Sequence, residues 1–255
     1  MYKPTRKPAW WFISGSAFHQ ATEAYDRLVW EHGHPTTSDI TTKKLHDLLI
    51  AEFESEIAKA EADEPDRSTW MRGGRSTKQF PDKETEAFYL AQFPDWAAAY
   101  DYHSRNDGRL IYTLPDGSPA IELGWMAEFG GVMVRGAIDR VVVEQGMLGI
   151  VDLKSGSSGG DPVQNNLYRC ALERLGWDEI PSFGAFWNPR KGASQDPAFA
   201  LTMPATFFDR QYRAADAQRR SGQIVFNVNK DCVRCGAREY CPAVSFGPKV
   251  ITELL

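Results

Sequence analysis

The sequence predicts a mixed α/β domain with a helical N-terminal part, because its pattern changes near residue 105. Before that point, apolar residues recur three and four positions apart, as on one face of a helix. From 110 to 156 the chain is rich in β-branched and aromatic residues and is divided by Pro-Asp-Gly, Gly-Gly and Gln-Gly, which are hairpin signals. We expect a single domain with a mainly helical part at 1–105, a core at 106–225 and a cysteine-rich tail at 226–255.

Three helices are predicted in the N-terminal part. The first has Ser16 as its expected N-cap and Gly33 as its stop. The second covers 41–63 and carries one apolar stripe, formed by Leu45, Leu48, Leu49, Phe53 and Ile57. The third covers about 82–103, and we expect Pro94 to interrupt it.

The second half is predicted to contain a sheet with helices around it. We expect three or four antiparallel strands between 110 and 156, and then a helix over "PVQNNLYRCALERLGW". "FGAFWNP" is typical of a further strand, and "PATFFDRQYRAADAQRRSG" of a late helix. Strands followed by alternating helix and strand indicate one mixed sheet flanked by helices.

Composition is that of a soluble globular protein. Of 255 residues, 42% are hydrophobic and 25% are charged, and no apolar run is long enough to cross a bilayer. The N-terminus lacks the features of a secretory signal, so we expect a cytoplasmic protein without membrane partners. A net charge of −5 argues mildly against nucleic-acid binding but leaves room for a local basic channel. The candidate phosphate contacts are Lys3, Arg6, Lys7, Arg72, Arg75, Lys78, Arg190, Lys191, Arg210, Arg213, Arg219 and Arg220, with Trp10, Trp11 or Trp70 as candidate stacking platforms.

"GIVDLKSGS" places an acid and a lysine inside an apolar strand. Asp152 and Lys154 are two residues apart and therefore face the same side. Asp139 lies in the preceding apolar strand, joined through the Gln145–Gly146 turn. Two carboxylates brought together in this way suit Mg²⁺ or Mn²⁺, and the lysine could help to deprotonate an attacking water or stabilise charge on a phosphate. A structural Asp–Lys salt bridge explains the pair alone equally well.

Two helical pairs could add to the same site. His19 and Glu23 are four residues apart on the first helix, so both could reach one point. Gln164 and Tyr168 have the same spacing on the helix that follows Lys154. Each pair taken alone is equally compatible with a surface or packing role.

In this order, the motifs "GSAFH", "GAIDR", "DLKSG" and "QNNLY", with the tail "CVRCGAREYC", resemble the RecB-like nucleases of the PD-(D/E)XK superfamily. The likeness is greatest to the CRISPR-associated and phage-borne exonucleases that carry an iron–sulfur cluster. The resemblance implies a restriction-endonuclease-like sheet. It also implies His19, Asp139 and Asp152 as metal ligands, Lys154 as the catalytic lysine, and Gln164 and Tyr168 as DNA-binding residues. Glu23 and Glu122 are weaker candidates, Glu23 because its match can reflect helix solubility and Glu122 because it suits a solvated strand face.

The C-terminal tail brings together three soft ligands, Cys232, Cys235 and Cys241, which suit zinc or an iron–sulfur cluster. The resemblance favours a [4Fe–4S] cluster with a fourth cysteine before the histidine motif, but no cysteine precedes Cys170 here. Three explanations stay open: a shortened N-terminus, Cys170 as a substitute ligand, or zinc with a different fourth ligand.

These features together predict a metal-dependent DNA exonuclease that acts on single strands or DNA ends in a prokaryotic or phage-infected cell. Recombination or CRISPR-adaptation proteins are the expected partners. One alternative is a DNA-end-binding module of such a complex with little catalysis of its own. Another is a redox or electron-transfer protein built on the cysteine tail, which leaves the Asp139, Asp152 and Lys154 constellation unexplained.

Overall fold

A computed structural model describes residues 7–34, 38–74, 77–156, 160–192 and 195–222. Three helices, α1 (Trp10–His32), α2 (Ser38–Asp63) and α3 (Glu86–Asn106), precede the sheet, as predicted. The strands are β1 (Leu110–Ile111), β2 (Ile121–Phe129), β3 (Val132–Glu144), β4 (Met147–Leu153), β5 (Phe183–Trp187) and β6 (Phe199–Ala200). Helices α4 (Pro162–Arg174) and α5 (Ala205–Arg220) lie after β4 and after β6, and short 3₁₀ turns occupy Arg67–Thr69 and Pro189–Lys191.

The described strands form one mixed sheet in the order β1-β3-β4-β5-β6, with β2 also paired to β3. Every pairing is antiparallel except β4 with β5, which is parallel and is connected through α4. A parallel pair needs such a crossover connection because the chain must return to the same end of the sheet. The mixed α/β fold with a helical N-terminal part is therefore confirmed, whereas the short edge strand β6 was missed by the sequence analysis.

Strand β3 has neighbours on both edges, but β4 accompanies it for only part of its length. Along one edge it pairs with β2 from Val132 to Arg140. On the other edge its pairing with β4 begins at the Arg140–Val151 pair and ends at the Glu144–Met147 pair. The turn between them, Gln145–Gly146, has positive φ at both residues, as a tight hairpin requires.

Alternation of side chains along β3 and β4 divides the core into two layers. Val142, Val151 and Leu153 face the cluster formed with α1, α2 and α3. Val141 and Ile150 face the cluster formed with α4 and α5. The sheet is therefore covered by helices on both faces, and Asp139 and Asp152 have the parity of the second face.

Two helix boundaries differ from the predictions. Helix α1 begins at Trp10 with Ala9 as its N-cap, not at Ser16, because Trp10 and Ile13 are buried and the Trp10 backbone N–H bonds the Met71 carbonyl. Its end at Gly33 is confirmed. Pro94 does not interrupt α3, since its ring lies on the exposed face while Phe93 and Trp96 anchor the helix in the core. Burial of those aromatic rings outweighs the lost backbone hydrogen bond.

No helix in the described part of the chain has the length and hydropathy to span a bilayer.

The predicted cluster ligands Cys232, Cys235 and Cys241 lie outside the described residues. Cys170 is fully buried in the α4 layer, with its thiol 3.3 Å from the Met203 carbonyl. It therefore packs as a small core residue.

Candidate active site

The β3–β4 register brings Asp139 and Asp152 together. Arg140 pairs with Val151, so Asp139 and Asp152 occupy the next step along the two strands, where regular pairing ends. There the Leu153 backbone N–H donates to Oδ2 of Asp139, at 2.7 Å. Both carboxylates are buried, Asp152 with 1% of its surface exposed. They therefore lie side by side on one face of the sheet, as the strand pattern predicted.

His19 reaches this point from α1, and Glu122 joins it from the start of β2. The His19 Nδ1 atom lies 3.6 Å from Asp139 Oδ1 and 3.9 Å from Glu122 Oε1. One ligand atom from each of these three residues lies within 4.8 Å of the others, a spacing that could hold a metal ion. Asp152 is not part of this group of three, and its Oδ2 atom lies 2.6 Å from the Lys154 amine.

Glu122 lies in this group of three, although the sequence analysis made it a weaker candidate. Its backbone has φ of 48°, a left-handed conformation that is uncommon for a residue with a long side chain. As a result the side chain does not project to solvent as simple alternation along β2 predicts, but lies beside His19 and Arg140. The only sequence signal was the change from loop to strand at Pro119–Ile121, which does not reveal the sign of φ.

Lys154 begins a chain of polar contacts toward α4. Its amine contacts Asp152 and donates to Gln164 Oε1 at 3.0 Å, and Gln164 Nε2 donates to the Tyr168 hydroxyl at 2.6 Å. The residues are adjacent because Gln164 and Tyr168 occupy successive turns of α4. The lysine amine is thus held between a carboxylate and an amide oxygen.

Both Asp139 and Asp152 have pKa values above the usual range of an aspartate. Burial, and then the negative charge of Asp139, raise the pKa of Asp152 to about 6, although Lys154 opposes the shift. Burial also raises the pKa of Asp139, against the influence of His19 and of the Leu153 N–H. Such a site gains stability from an added cation, because a cation offsets both burial and mutual repulsion.

The pKa of His19 is raised and the pKa of Glu122 is lowered, so the charged forms of both side chains are favoured. Burial lowers the pKa of His19, but the neighbouring Glu122 and Asp139 carboxylates outweigh it, and the net shift is upward. For Glu122, burial raises the pKa, but contact with His19 and the charge of Arg140 produce a net lowering. Glu122 is therefore the carboxylate most readily ionised beside the imidazole.

A buried ion pair supports the site from the opposite face of the sheet. Arg140 is 2% exposed, and its guanidinium donates to the Asp26 carboxylate on α1 and to the Asp139 carbonyl oxygen. The same Asp26 accepts the Tyr100 hydroxyl, at 2.6 Å. Arg140 also lies 3.4 Å from Glu122 Oε1. This network ties β3 to helices α1 and α3 directly beneath Asp139 and Glu122.

Other candidates lie away from this cluster. Glu23 pairs with Arg27 one turn along α1, at 2.9 Å, which agrees with a solubility role. Trp10 and Trp70 are buried against each other with ring centroids 4.8 Å apart, so neither can serve as a stacking platform for bases. Among the basic candidates, Arg190 binds Glu84, Lys191 binds Asp196, and Arg219 and Arg220 both bind Asp216. Lys3, Arg6 and Arg75 lie outside the described residues.

Comparison with known proteins decides the family. A model of the PD-(D/E)XK nuclease superfamily matches residues 11–242, which is most of the chain. The chain belongs to this superfamily. Asp139 as the first acidic position of the superfamily motif, and Asp152-Leu153-Lys154 as its D-x-K element, stay predictions from the sequence.

Two phage proteins are similar to this PD-(D/E)XK chain in sequence. The Gene 69 protein of Mycobacterium phage D29 is 30% identical over 197 residues, which cover 76% of this chain and 70% of that protein. The Gene 69 protein of Mycobacterium phage L5 is 26% identical over 260 residues, covering 92% and 87%. Among solved structures, a protein from Eubacterium rectale named "Putative exonuclease" matches with 15% identity and a TM-score of 0.38, over 79% of this chain and 75% of that one.

Proposed function

We propose that this nuclease-superfamily member is a divalent-metal-dependent DNA exonuclease that hydrolyses phosphodiester bonds of single strands or DNA ends. One observation carries the proposal: buried carboxylates and an imidazole converge at the end of the β3–β4 pairing, with a lysine amine 2.6 Å from Asp152. A structural salt bridge alone would not need His19, Glu122 and Asp139 beside it. The family match supports a nuclease, and the DNA preference and exonuclease mode are the further steps proposed here.

The residues present fit Mg²⁺ or Mn²⁺. The donors are carboxylate oxygens and one imidazole nitrogen, which suit hard to borderline divalent ions, and two of the carboxyls have raised pKa values that a cation would relieve. We assign His19, Asp139 and Asp152 as ligands, as the family resemblance implies, and add Glu122 from its position. A divalent ion bound there would polarise the scissile phosphate and neutralise developing charge.

We assign the catalytic role to Lys154 because its amine contacts the Asp152 carboxylate and is also hydrogen-bonded to the neutral amide of Gln164. Contact with Asp152 and with Gln164 fixes the direction of the ammonium group. From that position it can orient an attacking water and stabilise negative charge on the phosphate in the transition state. Gln164 and Tyr168 would border the substrate on the α4 side, which supports the proposed DNA-binding role for this pair.

The proposal is tested by degradation of single-stranded and blunt duplex oligonucleotides, labelled at either end, with Mg²⁺ or Mn²⁺. We expect the label at one end to be released as mononucleotides or short products, and no cleavage in EDTA. Lys154→Ala should abolish turnover while DNA retention in Ca²⁺ persists. Retention of DNA ends without divalent-dependent cleavage would favour the end-binding module instead.

The cysteine tail and the biological setting belong to the proposal as well. We propose that Cys232, Cys235 and Cys241 bind a [4Fe–4S] cluster, or zinc in its place. The support is their spacing and the resemblance to iron–sulfur exonucleases. A role in recombination, repair or CRISPR-like DNA processing would follow from an exonuclease acting at DNA ends. Similarity to mycobacteriophage proteins supports a setting in a phage-infected bacterial cell.

A further inference from the structure

The three residues that follow β4 are all hydrogen-bonded to the last residue of β5 or to the turn that follows it. The Lys154 backbone N–H donates to the Trp187 carbonyl, at 2.8 Å. The Asn188 side-chain amide donates to the Gly156 carbonyl at 2.7 Å, and Arg190 Nε donates to the Ser155 carbonyl at 2.8 Å. The backbone is therefore hydrogen-bonded both at Lys154 itself, to the end of β5, and at the next two residues, to the turn that follows β5.

Arg190 connects this segment to the N-terminal helical part. Its Nη1 donates to Glu84 Oε1 at 2.8 Å, and the other oxygen of Glu84 accepts the Tyr89 hydroxyl, also at 2.8 Å. Glu84 is only 9% exposed. The guanidinium also lies 5.5–5.8 Å from the ring centroids of Phe88, Tyr89 and Trp96, close enough for cation–π attraction. The Nε and Nη1 groups of Arg190 thus bind other parts of the protein, and its guanidinium lies against aromatic rings of α3.

We propose that Arg190 is a positioning residue for Lys154, and not a contact to the DNA backbone as its basic character suggested. The inference rests on the proposed nuclease function. Because Ser155 is covalently next to Lys154, a displacement of the Ser155 carbonyl moves the lysine backbone and with it the amine. The amine must stay near both Asp152 and Gln164 to act, and displacements of about 1 Å near reacting groups can cost up to 100-fold in rate.

The two roles predict different kinetics for Arg190→Lys. The lysine keeps the positive charge, but a single ammonium cannot bind the Ser155 carbonyl, Glu84 and the aromatic rings together. If Arg190 positions Lys154, kcat should fall about 10- to 100-fold with KM and its salt dependence unchanged. If Arg190 contacts phosphate, Arg190→Lys keeps the charge and should leave kcat unchanged, whereas Arg190→Ala should raise KM and lower the salt slope of DNA binding by about one.

Arg174 provides a matched control. It also binds a backbone carbonyl, that of Glu128 at 2.6 Å, together with a carboxylate, that of Asp209 at 2.7 Å. Its guanidinium lies 4.7 Å from the Phe129 ring, again as in Arg190. Within the described part of the chain, no hydrogen bond, ion pair or ring contact joins Arg174 to residues 154–156. Arg174→Lys should therefore lower the melting temperature about as much as Arg190→Lys does, but keep the wild-type kcat.

The measurement is the steady-state rate at which the full chain degrades an end-labelled single-stranded oligonucleotide with Mn²⁺, over a range of oligonucleotide concentrations. A lower kcat in Arg190→Lys, with KM unchanged and Arg174→Lys normal, supports the inference. An unchanged kcat, or an equal loss in Arg174→Lys, overturns it while leaving the nuclease proposal intact. Absence of divalent-dependent cleavage by the wild type overturns both.

A second variant guards against failure of Arg190→Lys to fold. Asn188→Asp keeps the oxygen that caps the Arg190 backbone N–H but replaces the amide that binds the Gly156 carbonyl with a repelling oxygen. We expect the same fall in kcat with KM unchanged. Normal kcat in a folded Asn188→Asp protein, or loss of folding in both variants, would overturn the inference, the latter because the contacts would then serve the core as a whole.

Discussion

The Leu153 backbone N–H donates to the Asp139 carboxylate across 2.7 Å, at the point where β3 and β4 stop pairing. A carboxylate therefore takes the place of a backbone carbonyl as the acceptor for β4. This contact orients Asp139 and also holds the peptide group between Asp152 and Leu153. Asp139 and the Asp152-Leu153-Lys154 segment are thus coupled through one hydrogen bond.

Asp152→Asn should reduce cleavage to the background of the assay while folding and DNA retention persist. The substitution removes the charge next to Lys154 without changing the volume of the side chain. Oligonucleotide degradation with Mn²⁺ measures the loss. Asp116→Asn, in an exposed turn, is the control and should cleave normally. Wild-type activity in Asp152→Asn would contradict the assignment of the metal site.

The same variant should be more stable than the wild type in the absence of metal above about pH 6. The pKa of Asp152 is about 6 in the folded state and 3.8 as an ordinary value, so the folded state binds more protons between these limits. Stability of the wild type therefore falls as pH rises through this window, and Asn escapes the loss. We expect a gain on the order of 1–2 kcal/mol at neutral pH, reduced by the lost Lys154 contact, and none near pH 4. Urea unfolding in EDTA measures the free energy of unfolding of both proteins. A lower value for Asp152→Asn than for the wild type at neutral pH would contradict this prediction.

Glu122→Gln should weaken binding of Mn²⁺. The neutral amide removes a carboxylate that lies 3.9 Å from His19 and beside Asp139. We expect a loss in affinity on the order of 10- to 100-fold, as for other residues that support metal ligands. Calorimetric titration measures it. Glu128→Gln, exposed on the same strand, should bind Mn²⁺ as the wild type does, and equal affinities in the two variants would exclude Glu122 from the site.

Asp26→Asn should destabilise the protein by about 3–5 kcal/mol, because it leaves the buried Arg140 guanidinium without its main counter-charge. Denaturant unfolding measures the change. The comparison is Asp47→Asn, which breaks an exposed pair with Lys43 and should cost less than about 1 kcal/mol. Similar losses in both variants would mean that the Arg140 network contributes little to stability.

Protein purified without oxygen should be pale brown and contain iron if the tail binds the proposed cluster, and should bleach in air. If zinc is bound instead, the protein will be colourless, with about one equivalent of zinc, since a structural zinc site holds a single ion. Elemental analysis separates the two. The absence of both metals, together with unchanged stability after Cys232, Cys235 and Cys241 are replaced by Ser, would reject the cofactor while leaving the Asp139 and Asp152 assignment untouched.

The local features of the site can be predicted from the amino-acid sequence. Strand parity predicts that Asp152 and Lys154 share a side, and the Gln145–Gly146 hairpin predicts that Asp139 lies on the adjacent strand. The spacing of Gln164 and Tyr168 predicts their contact on α4. These relationships depend on a few neighbouring residues and on regular backbone geometry, so they can be derived without knowledge of the rest of the fold.

The distant residues that contact these local features become apparent in the folded protein. Glu122 lies in the site with a left-handed backbone conformation, which the residues around it in the sequence do not predict. Arg190 resembles any surface cation in the sequence, yet it lies among Glu84, aromatic rings and the Ser155 carbonyl because α3 packs against the turn after β5. Similarly, Asp26 and Arg140 are 114 residues apart and pair only because α1 packs against the face of the sheet to which Arg140 points. The side chain's environment in each case is set by packing between elements, which periodicity along the chain does not encode.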